Sequence, residues 1–301
     1  MFTIHNSKQS FLDRVEKFLL QKEALNNIML GILYGTDEEA LLKTHVLVTT
    51  NNFCLLIQLA RNSLLCSFPF DDNVMMKESF EGFLEILNNY GFFLPKMSIN
   101  DSEKISFELI IGSKQIVHSL IKHYDLNVKI KHHSLIYECE VPKEPKYLLS
   151  GCRLRKADVN DIELISFWFF SFSVESLKQH DASDYEKLKP TYLKHSRDFI
   201  EKEKMYICEI KDGDKYVPVS MAAKNRKLKN FVAISYVYTP PEFRRKSYAS
   251  NGVFLIVKEC LGDGYKCCLF ANKFFPTANK IYQDIGFVAV NEIVEYHILY
   301  E

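Results

Sequence analysis

Apolar residues recur every three or four positions over residues 7–20 and 23–33, which predicts two amphipathic helices at the start of the chain. Three short apolar runs follow at 45–50, 53–60 and 63–68. Asn51-Asn52 and Arg61-Asn62 separate them, and the first pair suits a two-residue hairpin, so the segment reads as a meander of strands. Residues 79–90, ended by Gly91, and residues 113–124 read as helices, and 127–140 as a strand. The order predicted for this half is helix, helix, three strands, helix, helix, strand.

Two prolines among charges, in Val141-Pro142-Lys143-Glu144-Pro145-Lys146, disfavour both helix and central strand and place a linker at 141–150. The expected domains are therefore 1–140 and 151–301. Beyond the linker the order nearly repeats. A strand at 152–156 leads to a helix over 158–178, with Asp158 or Asp161 as its cap, and to a second helix at 183–201 opened by Pro190. Strands at 205–211 and 216–225 flank the hairpin signal Asp212-Gly213-Asp214, and a third strand spans 231–238. A helix at 248–261 closed by Gly262 and Gly264, a strand at 266–271, a helix at 277–285 closed by Gly286 and a strand-rich end at 287–300 complete the pattern. The halves share little letter by letter; the duplication is one of pattern.

Composition narrows the class. The 301 residues are 47% apolar and 25% charged, a globular mixture rather than a disordered one. Lys+Arg and Asp+Glu both number 38, so a broadly cationic binder of nucleic acid or acidic membranes is not expected. No apolar run approaches the roughly 18 residues of a membrane span; the aromatic stretch at 165–174 is short and carries serines. The eight cysteines form no Cys-x-x-Cys pair, and the chain opens without a basic region followed by an apolar run. Free thiols and a cytoplasmic location are the expectation.

Two segments carry chemistry. In the first, Val237-Tyr238-Thr239-Pro240-Pro241-Glu242-Phe243-Arg244-Arg245-Lys246-Ser247-Tyr248-Ala249, an apolar strand ends at two prolines, crosses a basic loop and enters a helix. Such a loop aims backbone N–H groups and the positive end of the helix dipole at one point, an arrangement suited to a pyrophosphate. A solvated basic turn is the plainer alternative. In the second, Phe275-Pro276-Thr277-Ala278-Asn279-Lys280-Ile281-Tyr282-Gln283-Asp284-Ile285-Gly286-Phe287, a helix places Asn279 and Tyr282 on one face. A phenol at the mouth of a sheet can donate a proton to a leaving group; a lone helical Tyr packed in a core is the ordinary alternative.

Together and in this order the segments resemble the GNAT acyltransferase superfamily, with its acyl-CoA loop Arg/Gln-x-x-Gly-x-Gly/Ala and its later Ala-x-x-Leu-Tyr-x-x-x-Gly-Phe element. The resemblance is specific over 151–301 and extends to Asn26-Asn27-Ile28-Met29-Leu30-Gly31-Ile32-Leu33 in the first half. It implies an α/β (α+β) fold of two GNAT-like domains, each a mixed, mainly antiparallel sheet flanked by helices. It also implies an N-acetyltransferase moving an acetyl group from acetyl-CoA, as co-substrate, to a primary amine, without a metal. On this resemblance Val237, Tyr238 and Thr239 run beside the pantetheine arm, and Asn279 contacts that arm. Arg244 takes the Arg/Gln position, and Arg245, Lys246, Ser247, Tyr248 and Ala249 cradle the pyrophosphate. Tyr282 matches the general acid that protonates the departing thiolate. Glu175 stands where an acidic residue faces the acceptor, as candidate base; His180 and His195 are weaker candidates.

This sequence departs from the family pattern at Ser247, where a glycine is usual, at Arg245, also commonly glycine, and at Phe275, where an asparagine precedes the proline. These departures motivate an alternative, a non-catalytic acyl-CoA-binding or interaction protein. A further alternative is an enzyme like the glycine N-acyltransferases, which use larger acyl groups. In the first half, the segment after the strand at 63–68 is Pro69-Phe70-Asp71-Asp72-Asn73, with two acids where a polyanion needs donors. Residues 1–140 are therefore read as a degenerate GNAT-like domain without the acyl-CoA loop. His132 and His133, adjacent in a strand, point to opposite faces and make a shared metal unexpected.

Overall fold

The computed structural model describes residues 2–71, 80, 82–93 and 105–300. In chain order its elements are β1 (Thr3–His5), α1 (Lys8–Gln21), α2 (Asn27–Gly35), α3 (Glu38–Thr44), β2 (His45–Thr49), β3 (Cys54–Gln58), β4 (Ser63–Cys66), α4 (Phe83–Asn89), β5 (Phe92–Phe93), β6 (Ile105–Ser106), β7 (Leu109–Ser113), α5 (Lys114–His123) and β8 (Val128–Cys139). There follow β9 (Cys152–Lys156), α6 (Ile162–Glu175), α7 (Tyr185–Glu201), β10 (Met205–Asp212), β11 (Lys215–Lys227), β12 (Phe231–Tyr238), α8 (Tyr248–Gly262), β13 (Lys266–Asn272), α9 (Pro276–Asp284) and β14 (Val288–Ile298). They divide into unit 1, Met1–Ile136 with Ala271–Phe274 and Val290–Glu301, and unit 2, Tyr137–Phe270 with Phe275–Ala289.

In unit 1, the Ser7 hydroxyl accepts a hydrogen bond from the Ser10 N–H at 3.1 Å and so opens α1. Strands β1 to β4 pair antiparallel in sequence order, β7 pairs parallel with β4, and β14 runs antiparallel to β7 from Ile293↔Ser113 to His297↔Leu109. Leu55, Ile57, Leu64, Ile110, Val117, Leu120 and Val294 pack into one buried core. The short strands β1, β5 and β6, the helix α3 and the strand β7 are not in the sequence expectation, and two of them show why. The apolar run Leu109-Ile110-Ile111 is a strand, with Ile110 buried and Leu109 and Ile111 partly exposed, and three apolar residues in a row show no period-2 alternation of residue type. The short helix α3 has few apolar positions and rests on its ends: Asp37 caps the Ala40 N–H at 2.9 Å, Glu38 and Glu39 fill the first turn and Lys43 the last. The helix expected from residue 79 is seen as α4, and Ser79 lies outside the described residues.

Unit 2 holds strands in the order β13-β12-β11-β10-β9, antiparallel except for the parallel β12–β13 pair. Gly213, at φ +59, turns the β10–β11 hairpin as the sequence predicts. Arg155 on β9 reaches Glu209 on β10 through Nε at 2.7 Å and grips Asp161 with both terminal nitrogens, at 2.6 and 2.9 Å, fixing the approach to α6. Pro190 stands inside α7 rather than at its start, because a reciprocal Asp181–Asp184 turn opens the helix earlier. Of the aromatic stretch in α6, Trp168 and Phe169 are buried against Phe199, Ile207 and Met221, so that stretch is chiefly core. Among the described residues no helix is long and apolar enough to cross a membrane.

Candidate functional site

Strand β12 is paired on both edges at its start and on one edge at its end. Its ladder with β13 runs from Phe231↔Lys266 to Ile234↔Leu269 and stops. There the backbone bulges: Ser235 opposes Ala223 and Tyr238 opposes Met221, leaving one extra residue on β12, and Tyr236 takes φ +53. The other edge stays tied to β11, where the Ser220 hydroxyl donates to the Tyr238 carbonyl at 2.8 Å and accepts from Thr239 Oγ1 at 3.0 Å. Among the described residues the ladder to β13 does not continue past Ile234.

The loop that follows makes two left-handed reversals before α8 begins, at Arg245 (φ +61) and Ser247 (φ +62). Each is a non-glycine residue in a region that costs roughly 1–2 kcal/mol for a side chain with Cβ. A left-handed residue followed by a helical one gathers successive N–H groups into a concave anion nest, and the first turn of α8 adds N–H groups that have no intrahelical acceptor. These two positions are the ones where the sequence pattern leads one to expect glycine.

Both features open onto a cavity of about 760 Å³, within the usual range for a ligand site. Of the residues expected at the site, Val237, Tyr238, Thr239, Arg244, Arg245, Ser247, Tyr248, Ala249, Glu175 and Tyr282 line it. Lys246 and Asn279 do not. Lys246 places its ammonium 6.0 Å from the centre of the Phe243 ring, and Asn279, 7% exposed, donates to the Phe275 carbonyl at 3.0 Å within its own helix.

Tyr282 projects from α9 between the rings of Tyr137 and Phe287, with centroids 6.1 and 6.0 Å away. Its hydroxyl makes no hydrogen bond to the described residues, and burial, helped by the nearby Tyr137 phenol, pushes its pKa well above that of an ordinary tyrosine. It is thus a protonated donor facing the cavity. Glu175, at the end of α6, is occupied: the Tyr238 hydroxyl donates to Oε1 at 2.8 Å, and Arg244 Nη2 pairs with Oε2. Arg244 also donates through Nε to the Thr239 carbonyl at 2.9 Å. Burial, reinforced by the Glu175 carboxylate, raises the Tyr238 phenol to about 12.

Sequence reasoning missed one wall. Pro145, Lys146 and Tyr147 line the cavity from the segment read as a linker. They are placed there by Asn251, 1% exposed in the first turns of α8. Its Nδ2 donates to the Tyr147 carbonyl at 2.9 Å and the Ser247 carbonyl at 2.8 Å, while its Oδ1 accepts from the Leu149 N–H at 3.0 Å. An asparagine in a helix gives no sign in sequence of bonding to a segment about a hundred residues away. The histidines stand elsewhere: His195 is packed among Phe169, Phe199 and Tyr236, where burial lowers its pKa, and His180 stacks on Phe170. His133 binds Glu292 at 2.6 Å, and no metal-binding group occurs among the described residues.

A parallel strand pair that parts at a bulge, followed by an N–H nest at a helix start, defines the class: this is the fold of the GNAT acetyltransferases. An acetyltransferase of the GNAT family from Colwellia psychrerythraea is similar over 99% of this chain and 100% of its own, at a TM-score of 0.52 and 11% identity. A Drosophila protein is similar over 99% of this chain and 98% of its own, at a TM-score of 0.56 and 9% identity. A functionally unknown conserved protein from Staphylococcus epidermidis covers 84% of this chain with 93% of its own, at 0.50 and 9%. At such identities the likeness is one of fold. No family model matches the sequence, and neither does any curated protein.

Proposed function

We propose that unit 2 is an N-acyltransferase that moves an acetyl group from acetyl-CoA to a primary amine. The observation that carries this reading is one cavity lined together by Val237, Tyr238 and Thr239 at the end of β12, past the point where it parts from β13, by the N–H nest at Ser247 and by Tyr282. The residues fit the co-substrate: the strand backbone of Val237–Thr239 along the cavity suits the amides of a pantetheine arm, and the nest with Arg245 suits a diphosphate. The amine nitrogen attacks the thioester carbonyl carbon and the C–S bond breaks. A backbone N–H near Val237 or Tyr238 polarises the carbonyl oxygen, and Tyr282 gives its proton to the departing sulfur. Glu175 takes the amine proton once Arg244 has turned from its Oε2 to the diphosphate.

The second reading is a non-catalytic acyl-CoA binder, and the strained Arg245 and Ser247 favour it. Incubating the protein with acetyl-CoA or benzoyl-CoA and a panel of amines, while free thiol is followed, separates the readings. Thiol release above hydrolysis with acetyl-CoA supports the enzyme, and release with benzoyl-CoA alone points to a larger acyl group. CoA binding by calorimetry without release leaves the binder. No binding refutes both.

Unit 1 repeats the strand plan with β4 and β7 as its parallel pair, and that pair does not part in the same way among the described residues. That ladder runs on to Cys66↔Gly112, and the N–H groups beyond it are used: Ser67 donates to Cys54, Phe68 to the Asn26 side chain and Phe70 to Asn52, at 2.7–2.9 Å. Asp72 and Asn73 of the expected loop lie outside the described residues. This bonding supports the reading of unit 1 as a domain that does not bind CoA.

A further inference from the structure

The segment 145–147 is a built part of the cavity, and the reading of unit 2 as a CoA site leaves it without a role. Two ties hold the chain on either side of it. The Lys143 N–H donates to the Ile285 carbonyl at 3.0 Å, at the end of α9, where Gly286 packs so closely that a Cβ would stand 2.7 Å from the Val141 carbonyl. Asn251 fixes the other side at the start of α8, and one amide nitrogen binds the carbonyls of both Tyr147 and Ser247. Tyr147 is therefore held a few ångströms from the proposed diphosphate nest by a buried, fully used side chain. Between the ties the segment crosses from the end of α9 to the start of α8.

What it presents there is unusual for a spacer. Tyr147 is 60% exposed although its carbonyl is tied to Asn251, and Lys146 holds its ammonium 5.3 Å from the centre of the Tyr147 ring. Lys146 has no ion pair among the described residues. A fixed aromatic face beside an unpaired cation suits a heteroaromatic base carried next to a phosphate. The acyl end of the co-substrate lies toward Tyr282 and the diphosphate at Ser247, so the part of CoA that projects past the nest is its adenosine 3′-phosphate.

We propose that Lys146 and Tyr147 form an adenosine 3′-phosphate clasp, Tyr147 stacking on the adenine and Lys146 pairing with the 3′-phosphate. This rests on the CoA reading of the cleft, and the experiment separates the two. Calorimetric dissociation constants are measured on the full chain for CoA, 3′-dephospho-CoA and 4′-phosphopantetheine, with wild type, Lys146→Ala and Tyr147→Ala. Both residues are exposed, so the variants keep the fold, which circular dichroism checks. Wild type is expected to bind CoA about five- to tenfold more tightly than dephospho-CoA. Lys146→Ala removes that preference and leaves dephospho-CoA binding within twofold. Tyr147→Ala weakens both nucleotides about tenfold, the order that base–aromatic stacking supplies, and leaves 4′-phosphopantetheine unchanged. If wild type binds CoA and both variants bind it equally well, the clasp is refuted and the cleft reading stands. If wild type binds none of the three ligands, the cleft reading falls and the clasp with it.

Discussion

Replacing Tyr282 with Phe removes one oxygen from the proposed reaction and almost nothing from the fold. The ring keeps its contacts with Tyr137 and Phe287, and the hydroxyl has no partner to lose, so unfolding free energy should stay within about 0.5 kcal/mol of wild type. A positioned general acid contributes about 10²–10⁴ in rate, or roughly 2.7–5.4 kcal/mol of barrier. The leaving group is a thiol, with an ordinary pKa near 8.5, which needs protonation less than an alkoxide does. A loss of about 10²–10³ in kcat is therefore expected, with KM for acetyl-CoA within threefold. Because burial holds the Tyr282 phenol above its ordinary range, wild-type kcat should show no alkaline limb from this group up to pH 9. The assay is thiol release at saturating acetyl-CoA and amine, alongside urea unfolding. A kcat within threefold of wild type removes Tyr282 from the chemistry. A stability loss above about 1 kcal/mol would show that the hydroxyl holds the structure instead.

Three further outcomes follow from the same geometry. Ser247→Gly relieves a left-handed residue at φ +62; set against the added flexibility of the unfolded chain, this nets up to about 1 kcal/mol, read as an unchanged or higher urea midpoint and tighter CoA binding. Weaker binding would mean that the Ser247 hydroxyl itself serves the anion. Gly112→Ala places a Cβ 2.3 Å from the Cys66 carbonyl in the β4–β7 ladder at φ +146, and should destabilise unit 1 by about 3 kcal/mol or more; a midpoint shift under 0.5 kcal/mol would contradict the packing. The Glu292 carboxyl, hydrogen-bonded by Lys273 and then by His133, is depressed to about 2. Its folded pKa lies below the unfolded one, so its contribution is complete above about pH 5 and is lost as pH falls toward 2. In Glu292→Gln the urea midpoint should fall less steeply across that window, and identical slopes would contradict the pairing.

Legibility followed the range of the forces. Unit 2 could be read closely, since β12, α8 and α9 each announce themselves by period, proline and glycine, and ten of the twelve expected site residues line one cavity. The exceptions are informative. Lys246 and Asn279 share the right segments, but a side chain's direction depends on loop reversals and helix phase that spacing alone does not set. Residues 141–150 looked like a spacer because proline reports what a segment cannot form, whereas Asn251, which positions it, acts across the fold. Strand β7 escaped notice because its recognition needs β4 beside it. Glu175, a candidate on the resemblance alone, lines the cavity, but its bonds to Arg244 and Tyr238 depend on where two other elements end.

Strand β14 closes the sheet of unit 1 through residues 293–297, and its Val294 and Ile298 sit in that unit's core with Leu55 and Ile110. A ribosome making this chain delivers those residues about 180 positions after the strand they pair with. Unit 1 therefore cannot complete its core as it emerges, and β7 waits with an open edge while all of unit 2 is synthesised. Folding of the first unit waits on the synthesis of residues 293–297, and a nascent chain halted before residue 290 presents that edge to any other strand it meets.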